Sequence, residues 1–306
     1  MSVRLGLFNL VFRAVLKPVL TRLSDPGKAR RGFEVLCAGL PVTPYALHLA
    51  DNGPVPLHWI SVRRRRADWV ILYLHGGGYI AGSPATHLAL TARIARLTGL
   101  QMACPDYRLG PEHPAPAAFD DAVQAHGMIL AKGIASDRVI LAGDSAGGGL
   151  ALALLADLCR RGLRPAALFA FSPWTDLTLA SDSLRTNADS DPLFPAGRMA
   201  EAVAMVQGSL NATDRRLSPL HAVFDRPPPV FLQVGSTEIL RDDSLRMAEV
   251  LRKAGGQVTM DLWPDCPHVW QMLDGLLPEA RKALTDVARF VDACVAAQDL
   301  VDVDSR

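Results

Sequence analysis

The stretch Leu141-Ala142-Gly143-Asp144-Ser145-Ala146-Gly147-Gly148-Gly149 constrains this chain more than any other. The apolar run Val139-Ile140-Leu141, two of its three residues β-branched, precedes it, and an apolar run from Leu150 to Leu155 follows. Strand, Gly-x-Ser-x-Gly, helix reads as a tight turn that holds a serine hydroxyl clear of the backbone. A side chain at Gly143 or Gly147 would strike the neighbouring strand or helix. The N–H of Ala146, at the helix start, points where an oxyanion would form, and the helix dipole favours negative charge there. A glycine-rich turn with an incidental serine would look the same, so the rest of the chain must decide.

At 306 residues the chain has room for one large domain or two small ones. Its 32 basic residues nearly balance 31 acidic ones, which gives no global reason to expect a nucleic-acid partner. No apolar run reaches the ~18 residues a membrane-spanning helix needs. The five cysteines are scattered, with no Cys-x-x-Cys and no zinc spacing. That pattern points to a reducing, cytoplasmic setting and to no metal.

Near the N-terminus, Phe8, Val11, Phe12, Val15, Leu16, Val19 and Leu20 recur at helical spacing. Arg13 and Lys17 interrupt the run and no cleavage pattern follows, so a signal peptide is disfavoured. The expectation is an amphipathic helix covering an apolar surface, with a membrane-surface helix as the rival. Thr43 to Ala50 and Pro54 to Ser61 read as strands joined by Asp51-Asn52-Gly53. Arg63-Arg64-Arg65-Arg66 is read as a solvated turn.

Asp68 to Leu74 is a strand buried on both faces. It ends in His75-Gly76-Gly77-Gly78, whose bare N–H groups can approach a ligand oxygen closely. A helix from Thr86 to Leu97 leads to a strand over 100–104. In the proline-rich loop that follows, Asp106 and Arg108 are expected to pin the turn. Then come a helix over 117–132, the serine turn and a strand over 166–171. Strands alternating with helices imply a parallel, doubly covered sheet. The alternation fails between 184 and 220, which reads as a helical insertion. A strand at 230–234, a helix from Ser244 to Lys253, a strand at 257–263 and a last helix from Pro278 complete the chain.

A serine hydroxyl needs a base, and the base needs an acid to fix its tautomer. Of eight histidines, His268 alone follows both the last predicted strand and a candidate acid. His75 is read as structural. The acid is Glu238, the first carboxylate after its strand. Asp242 is the alternative and Asp243 a weaker one, since both suit a helix N-cap. Asp144 is assigned a structural role.

Five motifs then resemble the bacterial hormone-sensitive-lipase-like esterases, a branch of the α/β-hydrolases: His75-Gly76-Gly77-Gly78, Asp106 to Pro114, Gly143 to Gly148, Ser172-Pro173-Trp174-Thr175-Asp176-Leu177, and His268-Val269-Trp270. They stand in the family's order from about residue 70 onward. The resemblance implies a mostly parallel eight-stranded sheet with helices on both faces and a helical cap. It implies hydrolysis of small acyl esters of short to medium chain, without a cofactor, and an oxyanion hole from Gly77, Gly78 and Ala146. Many members carry Asp-Pro-Leu where this chain has Glu238-Ile239-Leu240, and a subgroup with Glu at that place supports Glu238 as the acid. The expected division is 1–40 and 184–220 for the cap, with 41–183 and 221–306 for the core. Catalysis would use Ser145, His268 and Glu238. An amidase, deacetylase or formamidase, or a receptor that has lost catalysis, would be the competing functions. A homodimer is left open, and no integral membrane segment is expected.

Overall fold

The computed structural model describes residues 2–62 and 66–304. Three of the four arginines at 63–66 lie outside the described residues.

The eight strands are β1 Leu47–Asp51, β2 Leu57–Ser61, β3 Val70–Leu74, β4 Gln101–Pro105, β5 Val139–Asp144, β6 Ala167–Phe171, β7 Val230–Gly235 and β8 Val258–Trp263. They form one sheet in the order β1-β2-β4-β3-β5-β6-β7-β8. β1, β2 and β4 pair antiparallel, and every pairing from β4 to β8 is parallel.

β3, β5 and β6 are buried at every residue, as their unbroken apolar runs require. Alternation then sorts their side chains. Val70, Leu72, Leu74, Val139 and Leu141 face helices α5 (Ala117–Ala131), α6 (Ser145–Arg160) and α9 (Arg241–Lys253). Ile71, Tyr73, Ile140 and Ala142 face α4 (Leu88–Thr98) and α10 (Pro278–Asp304).

The first hairpin departs from expectation. Asp51 belongs to β1, and β2 begins only at Leu57, with Asp51 opposite Leu57. Pro54 and Pro56 carry no N–H and cannot donate to the ladder, so pairing waits until they are passed.

The N-terminal arm comprises α1 (Val3–Val11), a π-helical turn (Phe12–Leu16), α2 (Lys17–Arg22) and α3 (Pro26–Ala38). Leu5 packs with Cys266, Trp270 and Leu277, and the Ser2 N–H donates to Glu279 at 2.8 Å. The arm also grips the chain after β6, which carries the short helices α7 (Ser183–Thr186) and α8 (Met199–Val206). The Lys17 ammonium donates to the carbonyls of Ala188 and Asp191, each at 2.7 Å, and Arg198 donates to Leu23 O at 2.7 Å.

The arm corrects one expectation. Phe8, Phe12, Leu16 and Leu20 turn inward, but Val11, Val15 and Val19 are exposed. The two apolar stripes lie about 100° apart on a helix, and the protein covers only one of them. Among the described residues no helix is long and apolar enough to cross a membrane.

Candidate active site

All strands from β4 to β8 are parallel, so their C-terminal ends share one edge. The candidate residues emerge there. Ser145 follows β5, Ser172 follows β6, Glu238 follows β7 and His268 follows β8.

Ser145 has φ +53°, a left-handed conformation that costs a non-glycine residue of order 1 kcal/mol or more. The turn is held by close packing. A Cβ on Gly147 would lie 2.1 Å from Leu74 O, and one on Gly143 would lie 2.4 Å from Gly147 O. The collision expected from the sequence is therefore with backbone, which cannot swing aside. Trp174 N–H donates to Ser145 O at 2.9 Å and ties the turn to the loop after β6.

Asp144 turns towards β3 and the start of the glycine loop. Its buried carboxylate accepts from Tyr73 Oη at 2.8 Å and from Gly76 N–H at 3.0 Å. It thereby anchors the start of the glycine loop to the strand that carries Ser145. Its pKa lies below the ordinary value. Burial opposes this, and His87 and Tyr73 outweigh it. His75 stacks on Tyr107 at 4.2 Å, and burial pushes it down to about 3, so it stays neutral.

In the glycine loop, Gly77 and Gly78 have φ +119° and +65°. A Cβ on Gly77 would lie 2.1 Å from Ala81 O. The Gly77 carbonyl accepts from Ile80 and Ala81, whereas neither the Gly77 nor the Gly78 N–H has a partner among the described residues. Ala146 N–H belongs to the first turn of α6, where helix donors lack intrahelical acceptors.

Glu238 and His268 meet. His268 Nδ1 lies 2.6 Å from Glu238 Oε2, and both side chains are buried. Glu238 Oε1 accepts from Gly235 N–H at 2.6 Å and Ser172 Oγ at 2.7 Å. Three donors hold this carboxylate in place. His268 Nε2 is buried with no partner among the described residues. The arrangement leaves one basic nitrogen free at the sheet edge that carries Ser145.

Comparison with known proteins identifies the family. The family model for the alpha/beta hydrolase fold matches residues 71–272. An acetyl-hydrolase of Streptomyces hygroscopicus is 38% identical over 78% of this chain and 83% of its own. An esterase of Acinetobacter venetianus is 38% identical over 87% of this chain and 88% of its own. The crystal structure of an esterase from the bacterial hormone-sensitive lipase family superposes with a TM-score of 0.90 at 35% identity, covering 95% of this chain and 98% of that one. The chain belongs to the hormone-sensitive-lipase-like esterases of the α/β-hydrolase family. It is a carboxylic ester hydrolase.

The alternative acids sit elsewhere in this esterase. α9 begins at Arg241, not Ser244, with Leu240 at its N-cap, so neither aspartate caps it. Asp243 accepts instead from Thr175 N–H, Asp176 N–H and Ser181 Oγ, and Asp242 from Ser183 N–H. The loop after β6 runs without regular pairing, and these carboxylates take up its bare donors. Burial pushes Asp243 up to about 6. Arg108 pins its loop by pairing with Asp121 on α5, while Asp106 joins Pro56 O through its backbone N–H.

Sequence reasoning missed three residues beside the site. Ser172, at φ +46°, donates to Glu238. Phe194 sets its ring edge-on to His268 with centroids 4.6 Å apart. Arg30, on α3, donates to Ile80 O and Gly110 O at 2.8 Å each and pairs with Glu112. The only advance signal was for Ser172, which opens one of the family-like motifs. Phe194 also lines a largely apolar cleft, partly open to solvent, with Leu20, Leu23, Ile80, Met199 and Met205.

Proposed function

We propose that this esterase acts through a Ser145-His268-Glu238 triad on short- to medium-chain acyl esters. The observation that carries the reading is the 2.6 Å contact between His268 Nδ1 and buried Glu238, which leaves Nε2 bare. Glu238 holds the proton on Nδ1 and balances the imidazolium charge. Ser145 Oγ attacks the ester carbonyl as Nε2 takes its proton. The N–H groups of Gly77, Gly78 and Ala146 stabilise the tetrahedral oxyanion. His268 then protonates the leaving alcohol, and water releases the acyl group by the same steps in reverse. Residues 1–40 and 184–220 together serve as the cap, which the contacts of Lys17 and Arg198 between the two segments support.

The acetyl-hydrolase relative favours a short acyl group, and the cleft's apolar lining suits an acyl chain. The five free cysteines favour a reducing, cytoplasmic setting. A p-nitrophenyl ester should give a burst of nitrophenol that Ser145→Ala abolishes. Rates should fall from acetyl or butyryl towards palmitoyl esters. An active Ser145→Ala variant would refute the nucleophile, and activity confined to palmitoyl esters would refute the chain length.

A further inference from the structure

The N-terminal arm carries a contradiction. A surface helix normally turns apolar residues inward and polar ones outward. Here the inward face is apolar, with Leu5 fully buried, yet the outward face is apolar too. Val3, Leu7, Leu10, Val11, Val15 and Val19 are 92, 60, 63, 44, 54 and 53% exposed. Single exposed apolar residues are ordinary, but a run along one continuous helical arm marks an interaction surface.

Charge identifies what the surface fits. The arm, residues 1–38, holds seven Lys or Arg against Asp25 and Glu34, out of 32 basic and 31 acidic residues in the chain. The remainder therefore holds 25 basic against 29 acidic residues, so the arm is cationic on a protein that is otherwise slightly anionic. Lys17 and Arg30 are occupied by the carbonyls described above. Arg4 and Arg13 are exposed while donating to Leu276 O and Ser190 O, and Arg22, Lys28 and Arg31 are exposed as well.

We propose that the outer face of this arm docks on an anionic lipid surface. The apolar side chains would enter the boundary between headgroups and acyl chains, with the exposed cations among lipid phosphates. The arm also supplies Leu20, Leu23 and Pro26 to the cleft, so docking would set the mouth of that cleft beside the membrane. The proposal does not depend on the triad assignment.

Co-sedimentation with vesicles tests it. The full chain should sediment with phosphatidylcholine–phosphatidylglycerol vesicles at low salt, less at high salt, and weakly with phosphatidylcholine alone. Leu7→Asp, Val11→Asp and Val15→Asp combined should abolish binding. Arg22→Glu with Arg31→Glu should weaken it by at least about tenfold, since each cation near the surface contributes about fivefold. The second variant keeps the apolar face and so tests the charge argument even if the first fails to fold; unchanged melting temperatures show that both are folded. Absence of binding to the mixed vesicles, equal binding to both vesicle types, or undiminished binding by either variant would overturn the proposal. So would a dimer, seen by sedimentation, that the triple variant dissociates, because a second copy would then cover the face.

Discussion

Replacing Glu238 with Gln changes one oxygen to an amide nitrogen and almost nothing in shape. Oε1 of Glu238 accepts from Gly235 N–H at 2.6 Å and from Ser172 Oγ at 2.7 Å. A backbone N–H can only donate, so the amide oxygen must stay on that side and the NH2 must face His268 Nδ1. An NH2 there needs a lone pair on Nδ1, which drives the imidazole proton to Nε2. His268 then has no lone pair to take the Ser145 proton. The flipped amide would set an NH2 against Gly235 N–H in a fully buried place, at a cost of ~1–3 kcal/mol. Holding a triad histidine in the wrong tautomer lowers kcat by about 10⁴-fold, or ~5.5 kcal/mol of barrier. Steady-state hydrolysis of p-nitrophenyl acetate at neutral pH, with thermal melting to confirm the fold, reads this out. Asp242→Asn should stay near wild type, since that carboxylate bonds Ser183 N–H and Arg241. A Glu238→Gln enzyme within tenfold of wild type would refute the reasoning.

Gly147→Ala should destabilise the protein by about 3 kcal/mol or more and remove most activity, because its Cβ would meet two backbone carbonyls at 2.1 and 2.2 Å; a variant with wild-type melting and rate would contradict this. Arg30→Met frees the loop that follows Gly77 and Gly78 from α3, and kcat/KM should fall about tenfold while stability drops by less than ~2 kcal/mol; unchanged kinetics would dismiss Arg30 as a positioning residue. Burial pushes His75 down to about 3 and His126 to about 4, so below pH 6.5 the unfolded chain takes up protons that the native chain refuses. Stability then falls with pH by ~1.4 kcal/mol per unit for each histidine, and Asp243 offsets one of the two between its unfolded value of 3.8 and its folded value of about 6. Urea midpoints between pH 7 and 4 should decline accordingly, and His126→Gln should flatten most of the slope; an unaltered slope would remove His126 from the account.

The sequence alone determined what depends on neighbours along the chain. Continuous apolar runs marked β3, β5 and β6 because a strand covered on both faces admits little polar side chain. The glycines flanking Ser145 were legible because the turn admits no side chain. Chain order and strand ends singled out Glu238 and His268 before any coordinate. Tertiary structure decided what depends on residues far apart. It brought Ser172 to Glu238, 66 positions away, and Arg30 to Glu112, 82 away, pairings that no periodicity encodes. It gave Asp242 and Asp243 to donors of a distant loop instead of to their own helix. It also chose which stripe of the N-terminal arm to cover, because two equally apolar stripes differ only in what the rest of the fold places against them.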